Sequence, residues 1–496
     1  MNAKKFYLLT WLLFVGMIFL SAQKKKVQSA EPPLKEYKAF VQKNVDTKFE
    51  EYCAVAKEIW DYAELGYLES KSAKKLIDQL QKEGFSVDYA VAGLPTSFVA
   101  TYGSGKPVIG ILAEYDALPG LSQDAVPYQK PLVEGGNGHG CGHNLFGTAS
   151  VAAGVAIKDW IKQYGKSGTI KVYGTPAEEG GGGKVYMTRA GLFNDVDAVL
   201  HWHPGDNNEA GAWKSLSNIS GYFKFYGNTA HAAASPQVGR SALDGAEALN
   251  FMVNMMREHM DEKARIHYVF KNGGLAANVV PDYAELEYVI RHPEVGEMVK
   301  LFDRIRKAAD GAALGTGTTV KWEIKTGVYD LLPNETLART MQSNLESLGG
   351  ITYTEEETTW ANQLRESFKG RKIPDLLQAS EVKPYGIRSM SGSTDVGDVS
   401  YVVPTTGLST ATWVPGTAAH TWQATAADGM SIGFKGMALA AKTLASTGID
   451  LLTNPALIIQ AKEEFKKQLG DTVYKPLAGD AKPPLNYRKG MGVMTP

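Results

Sequence analysis

The sequence predicts an α/β protein: a mostly parallel sheet with helices on both faces, interrupted by an inserted α+β unit. Three observations lead there. With 496 residues, 44% hydrophobic and 21% charged, the chain exceeds what a single core usually organises. Through its first half, apolar runs bounded by turn residues alternate with helical runs, the pattern of parallel strands covered by helices. From about Gly221 the texture changes to strands of alternating polarity, which suit a small antiparallel sheet.

Taken in order, the chain opens with Lys4 and Lys5, an apolar stretch over residues 6–20 and the small residues Ser21 and Ala22. That order is the signature of a secretory signal peptide over residues 1–22 and predicts an exported, periplasmic protein. An uncleaved membrane anchor is the alternative, because Lys24, Lys25 and Lys26 follow a run near the short end of a spanning helix. Residues 23–45 read as a Lys-rich linker and the start of a first helix. The large unit then occupies 46–218 and 334–496, with the insert at 219–333.

In the first part, "DTKFEEYCAVAKEIWDYAELGY" has helical spacing, and a second helix over 70–82 is stopped by Gly84. "TSFVATYG" and "PVIGILAEYDALPG" read as strands, followed by a small-residue helix over 143–162. "GTIKVYGTPAEEGGGG" and "VDAVLHWHPG" repeat the strand-then-loop unit. Within the insert come "GYFKFYG", a helix after Arg240, "RIHYVF", "YAELEYVIR", a helix over 294–313 and "TTVKWEIKTG". The last part ends in a helix over 426–447, and the Pro-containing tail reads as disordered.

A formal net charge of −1 supplies no field to hold nucleic acid or an anionic membrane surface. Small-molecule chemistry is the expectation that remains. The two cysteines allow at most one bridge, so this is no disulfide scaffold. Cys53 fits a buried helix position, whereas Cys141 stands in "GHGCGHNLFG" among glycines and histidines.

Successive strand ends finish in potential ligands: Asp116, then Cys141 and His143, then Glu178 and Glu179, then His201 and His203. In a strand-like stretch residues i and i+2 face one way, so Cys141 and His143 can grip one ion. Thiolate and imidazole suit zinc and neighbouring divalent metals, and a thiolate can bridge two of them. Adjacent carboxylates diverge, which separates a ligand from a general base. A lone Glu-Glu pair is usually solvated surface, and "EEGGGGK" lacks the spacing of a phosphate loop. The coincidence of ligand types at consecutive strand ends outweighs both readings. His259, His267 and His292 have no partners nearby in sequence and read as structural.

These residues resemble a known family, the two-metal amidohydrolases and exopeptidases that include aminoacylase, carboxypeptidase G and hippurate hydrolase. Within it the chain is most similar to the p-aminobenzoyl-glutamate hydrolase B-subunit group. The stretches that carry the resemblance are "AEYDALPG", "GHGCGHNLFGTAS", "GTPAEEGGGGK", "VDAVLHWHP", "TAHAAASPQVGRSALD", "NVVPDYAELEYVIR", "STDVGDVS" and "GTAAHTWQ", in the family's order.

The resemblance implies two divalent metal ions per subunit, zinc or manganese, with Cys141, His143, Glu179, His203 and His420 as ligands. His203 is preferred to His201 because the family's ligand lies six residues beyond the aspartate here at Asp197; His201 is the reserve. Glu178 would be the general base. Asp116 matches the aspartate that orients a metal-bound histidine, although Glu114 stands where that histidine usually lies. His231 would stabilise the oxyanion, often in the partner subunit's site, while Asn278 and Arg291 would hold the substrate amide and carboxylate.

The insert would be a lid and dimerisation domain, giving a homodimer, with a homologous second subunit hinted at by the B-subunit name of the resembling group. The expected function is exported, metal-dependent hydrolysis of an N-acyl or N-aminoacyl amino acid resembling p-aminobenzoyl-glutamate. A dipeptidase or broad N-acyl-amino-acid hydrolase is the nearest alternative, and a non-catalytic metal-dependent binding protein is one of another class.

Overall fold

The computed structural model describes residues 32–370 and 373–490; the expected signal segment lies outside them. Among the described residues twelve strands form two sheets. The first part supplies β1 (Ser86–Tyr89), β2 (Phe98–Ser104), β3 (Val108–Ala113), β4 (Gly168–Gly174), β5 (Ala198–Gly205) and β6 (Glu209–Lys214). The second sheet takes β7 (Ser217–Tyr226), β8 (Arg265–Asn272), β9 (Tyr283–His292) and β10 (Thr319–Val328). The chain then returns with β11 (Ile387–Ser389) and β12 (Thr405–Ala411).

The large sheet runs β1-β2-β4-β3-β5-β12-β6-β11. Its centre, β4-β3-β5-β12, is parallel, while β1-β2, β2-β4 and β12-β6 pair antiparallel. Both faces are covered. On β3, Ile109, Ile111 and Ala113 enter one core with the helices Leu34–Thr47, His143–Tyr164 and Ser431–Thr453. Val108 and Leu112 enter another with Tyr186, Phe193 and Val399. Burial on two sides explains why β3 is apolar throughout rather than alternating.

The second sheet is antiparallel, in the order β10-β7-β9-β8. Along β9 the residues alternate between half-buried and buried, with Ala284, Leu286, Tyr288 and Ile290 inside. The helices Ala242–Met256 and Val295–Thr316 supply the rest of that core from one face.

Three expectations need correction. The helix expected over 426–447 is two helices, Trp422–Asp428 and Ser431–Thr453. Met430 is extended (φ −130°, ψ 177°) between them, where the Trp60 indole docks and donates to the Thr425 carbonyl at 2.8 Å. Cys141 and His143 do not lie on a strand. Cys141 is in a turn, His143 opens a helix, and Gly142 between them takes φ 72°. A Cβ there would stand 2.7 Å from Pro204. The two side chains therefore converge through a left-handed turn, not through strand alternation.

The third correction concerns the tail, which is packed from Asp471 to Gly490 along both units. Tyr474 donates to Asp398, Tyr329 to the Lys475 carbonyl, and Arg189 to the carbonyls of Gly479 and Ala481. Internal bonds such as Gly479 N–H to the Pro476 carbonyl and Tyr487 N–H to the Pro484 carbonyl close its turns, and the side-chain bonds tie this strap to other segments, a pattern that local propensity does not reveal.

Candidate functional site

The segments past the carboxyl ends of the parallel strands β3 and β4, the last residues of β5 itself and the loop before the helix Trp422–Asp428 bring the candidate ligands together. Two triads have ligand atoms within 4.8 Å of one another: Cys141, His143 and His203, and Cys141, Glu179 and His420. Cys141 is common to both. Its Sγ lies 3.4 Å from His203 Nε2, and His420 Nε2 lies 3.2 Å from Glu179 Oε1. A third set, Glu114, His143 and Glu178, adjoins them.

The imidazoles are oriented from behind. Asp116 is buried, and its Oδ1 lies 2.9 Å from His143 Nδ1 while its Oδ2 accepts the Glu179 N–H at 2.9 Å. His203 Nδ1 lies 2.7 Å from the Pro204 carbonyl, so it carries the proton. In both rings Nε2 is thereby the nitrogen that faces the cluster. His420 sits at φ 59°, a strained conformation for a residue with a side chain, which swings its ring toward Glu179.

Burial and crowding set the electrostatics. Glu178 is pushed well above the ordinary carboxyl range by burial, reinforced by Glu114 and Glu179. Burial likewise raises the Cys141 thiol and lowers His203 to about 4. Among the described residues Glu179 Oε1, Glu114 Oε2 and His143 Nε2 are buried with ion-pair contacts, to His420 and to one another, but no well-aligned hydrogen bond. Crowded acids and uncommitted lone pairs fit divalent cations, whose charge would offset the repulsion.

One cation in the neighbourhood was invisible to the motif reading. Lys184 is fully buried and lies 2.7 Å from both Glu114 and Asp395. Its partners come from distant segments, so only the fold unites them. Glu114, standing where a histidine was expected, is thereby tied to Lys184 and lies 3.1 Å from His143 Nε2.

Beside the cluster opens a cavity of about 300 Å³ between the two units. Glu178, Glu179, Asp395 and His420 line one side; Asn218, Arg291 and Thr326, on β7, β9 and β10, line the other. The Arg291 guanidinium makes no side-chain hydrogen bond or ion pair among the described residues. The buried Asn218 Oδ1 and Ser393 Oγ are also without hydrogen-bond partners.

Two residues stand elsewhere. His231 is exposed, bridged to Val279, and accepts the N–H groups of Ala233 and Ala234; Asn278 is exposed beside it. Neither lines the cavity. His201 faces away from the cluster, packed against Gly407 of β12 and lowered to about 3 by burial. His139 is a buried structural group, its Nε2 3.0 Å from the Ile59 carbonyl.

Residues 110–372 match the model of Peptidase family M20/M25/M40. The chain is 40% identical to the B-subunit of p-aminobenzoyl-glutamate hydrolase from Escherichia coli, over 88% of this chain and 96% of that protein. The chain belongs to the M20/M25/M40 peptidase family. It is also 32% identical to the Xaa-Arg dipeptidase of Mus musculus, across 86% of this chain and 91% of that one. A dinuclear metal binding peptidase from the M20 family, from Bacillus subtilis, superposes with a TM-score of 0.58 at 16% identity, covering 82% of this chain and 99% of its own; that likeness shows the shared fold. As a member of the M20/M25/M40 family, the protein is a metal-dependent amidohydrolase.

Proposed function

We propose that the protein hydrolyses the amide bond joining an acyl or aminoacyl group to an amino acid with a free carboxylate, with p-aminobenzoyl-glutamate as the model substrate. The observation that carries this reading is one cavity with Glu178 beside two ligand triads and, in the opposite wall, Arg291, which has no side-chain partner among the described residues. Cys141, His143 and His203 would hold one divalent ion and Cys141, Glu179 and His420 the other, zinc or manganese. Such ions polarise the scissile carbonyl and acidify water.

Arg291 receives the substrate carboxylate through paired N–H donors. Glu178 takes a proton from the attacking water as the C–O bond forms, then passes it to the leaving nitrogen as the C–N bond breaks. Its place in the cavity wall beside the ligand triads suits the task. Asp116 holds His143 and the Glu179 backbone in register, so it acts behind the ligands.

His231 and Asn278 serve the neighbouring copy's site in a homodimer, where His231 stabilises the oxyanion. Their exposure outside their own cavity supports this, as does the apolar face of the same unit, with Phe251, Met255, Val269 and Leu275 exposed on a helix, the edge strand β8 and the loop after it. A homologous second subunit is the other assembly, suggested by the relative's name as one of two hydrolase subunits. The protein acts after export to the periplasm, a reading that rests on the N-terminal residues alone.

The test is hydrolysis by purified protein of a panel of N-acyl-glutamates and dipeptides, with chelator and with zinc or manganese restored. Metal-dependent cleavage of aminobenzoyl-glutamate supports the proposal. Cleavage of dipeptides alone makes the protein a dipeptidase, and metal binding without turnover on any substrate makes it a binding protein.

A further inference from the structure

The loop carrying Glu178 and Glu179 belongs to neither a strand nor a helix. Ala177, Gly180 and Gly182 all take positive φ, so backbone ladders do not hold it. Turn bonds from the Gly181 and Gly182 N–H groups to the Ala177 carbonyl shape it from within, and its remaining fixings come from outside. Asp116 accepts the Glu179 N–H, and Tyr67 donates to the Gly181 carbonyl at 2.7 Å. The Glu179 carbonyl is taken by the far end of the chain: Tyr487 Oη donates at 3.0 Å and Arg488 at 2.8 Å.

The seat for this end is built into the fold. The Tyr487 ring meets the Tyr67 ring edge-on at 5.8 Å. Gly66 makes room, since a Cβ there would stand 2.3 Å from Tyr487 Oη. Before reaching Glu179 the strap lays Leu477 against Gly327 of β10 and presents Ala478 to the cavity. One continuous segment therefore touches the insert, the cavity wall and the backbone of a candidate ligand.

We infer that Tyr487 and Arg488 are positioning residues for Glu179, holding its carbonyl while Asp116 holds its N–H, so that the carboxylate would meet the ion it shares with Cys141 and His420. The inference rests on the ligand reading given under Proposed function. Partners that orient a ligand without touching the ion typically change metal affinity by 10- to 100-fold when removed. Two donors on one carbonyl, both supplied by the tail, form such a partner set.

The experiment uses the full chain carrying Tyr487→Phe and Arg488→Gln together, beside wild type and Glu179→Ala. Metal content after dialysis against buffered zinc or manganese is measured by elemental analysis, with thermal melting as the folding control. The expected result is a paired variant that melts cooperatively and binds one of its two ions about tenfold more weakly. Its kcat should fall at limiting metal and recover at saturating metal with KM unchanged. Restoring Arg488 or Tyr487 singly should recover part of the affinity. Unchanged affinity for both ions in the paired variant, alongside loss of one ion in Glu179→Ala, overturns the tail's role and leaves the ligand reading standing. Retention of both ions at full affinity by Glu179→Ala sinks both.

Discussion

In the proposed mechanism Glu178 and Cys141 divide the chemistry at the scale of single residues. Glu178→Ala should keep its metal content and lose at least about 10²- to 10⁴-fold in kcat, the usual share of a general base. Retained turnover in that variant would exclude the mechanism. Cys141 contributes to both triads, so Cys141→Ser should reduce bound metal at both, read as stoichiometry per chain. Ligand chemistry was legible in the sequence at these positions because thiols and imidazoles are scarce, with two cysteines and nine histidines in the whole chain, and several of them gather in short stretches that follow apolar runs. Asp116 was visible only as a motif letter. That it bridges His143 and the Glu179 backbone follows from geometry across 27 and 63 positions of chain, which spacing does not encode.

Among the elements, the short helix Val396–Ser400 illustrates a buried acid held in a raised state. Burial pushes Asp398 up to about 7 from an ordinary 3.8, while it accepts hydrogen bonds from Tyr474 Oη and the Tyr329 N–H. The folded state thus holds a proton that the unfolded chain releases above pH 3.8. Stability from this group is fully present below that value and is lost as pH rises toward about 7. Denaturant titrations across this window should show the decline, and Asp398→Asn should flatten it; an equal slope in the variant would rule out this group as its source.

The regular elements were readable because β3 is an unbroken apolar run, β9 alternates and the helices repeat their apolar residues at helical spacing. Failures came where a distant side chain dictates the backbone, as Trp60 does at the break before Ser431 and Tyr67 does for the strap. Lys184 shows the same limit: inside "EEGGGGK" it reads as loop polarity, yet it is the buried counter-charge of Glu114 and Asp395.

For the whole molecule, the decisive quantity is the oligomeric state. Val269 and Leu275 are exposed, Leu275 completely, on and just beyond an edge strand with no neighbour on its outer side among the described residues. Val269→Lys with Leu275→Asp should shift the protein to monomer in sedimentation experiments. If His231 serves the neighbouring site, the same variant should lose kcat while keeping its metal, and a fully active monomer would remove His231 from the mechanism. That assembly leaves its trace in the sequence only through resemblance, since an exposed apolar face looks the same on paper as a buried one.

The central parallel pair has a kinetic consequence. β5 and β12 register Val199 with Thr405 and Gly205 with Ala411, so the sheet's middle is joined only after about two hundred intervening residues have been bridged. The second sheet pairs Tyr226 with Tyr283 and is far more local, so it can assemble while that bridge is still open. Until β12 arrives, β5 offers a bare apolar edge to any other nascent chain. Chaperone protection during synthesis matters most while residues between Gly205 and Thr405 are emerging from the ribosome.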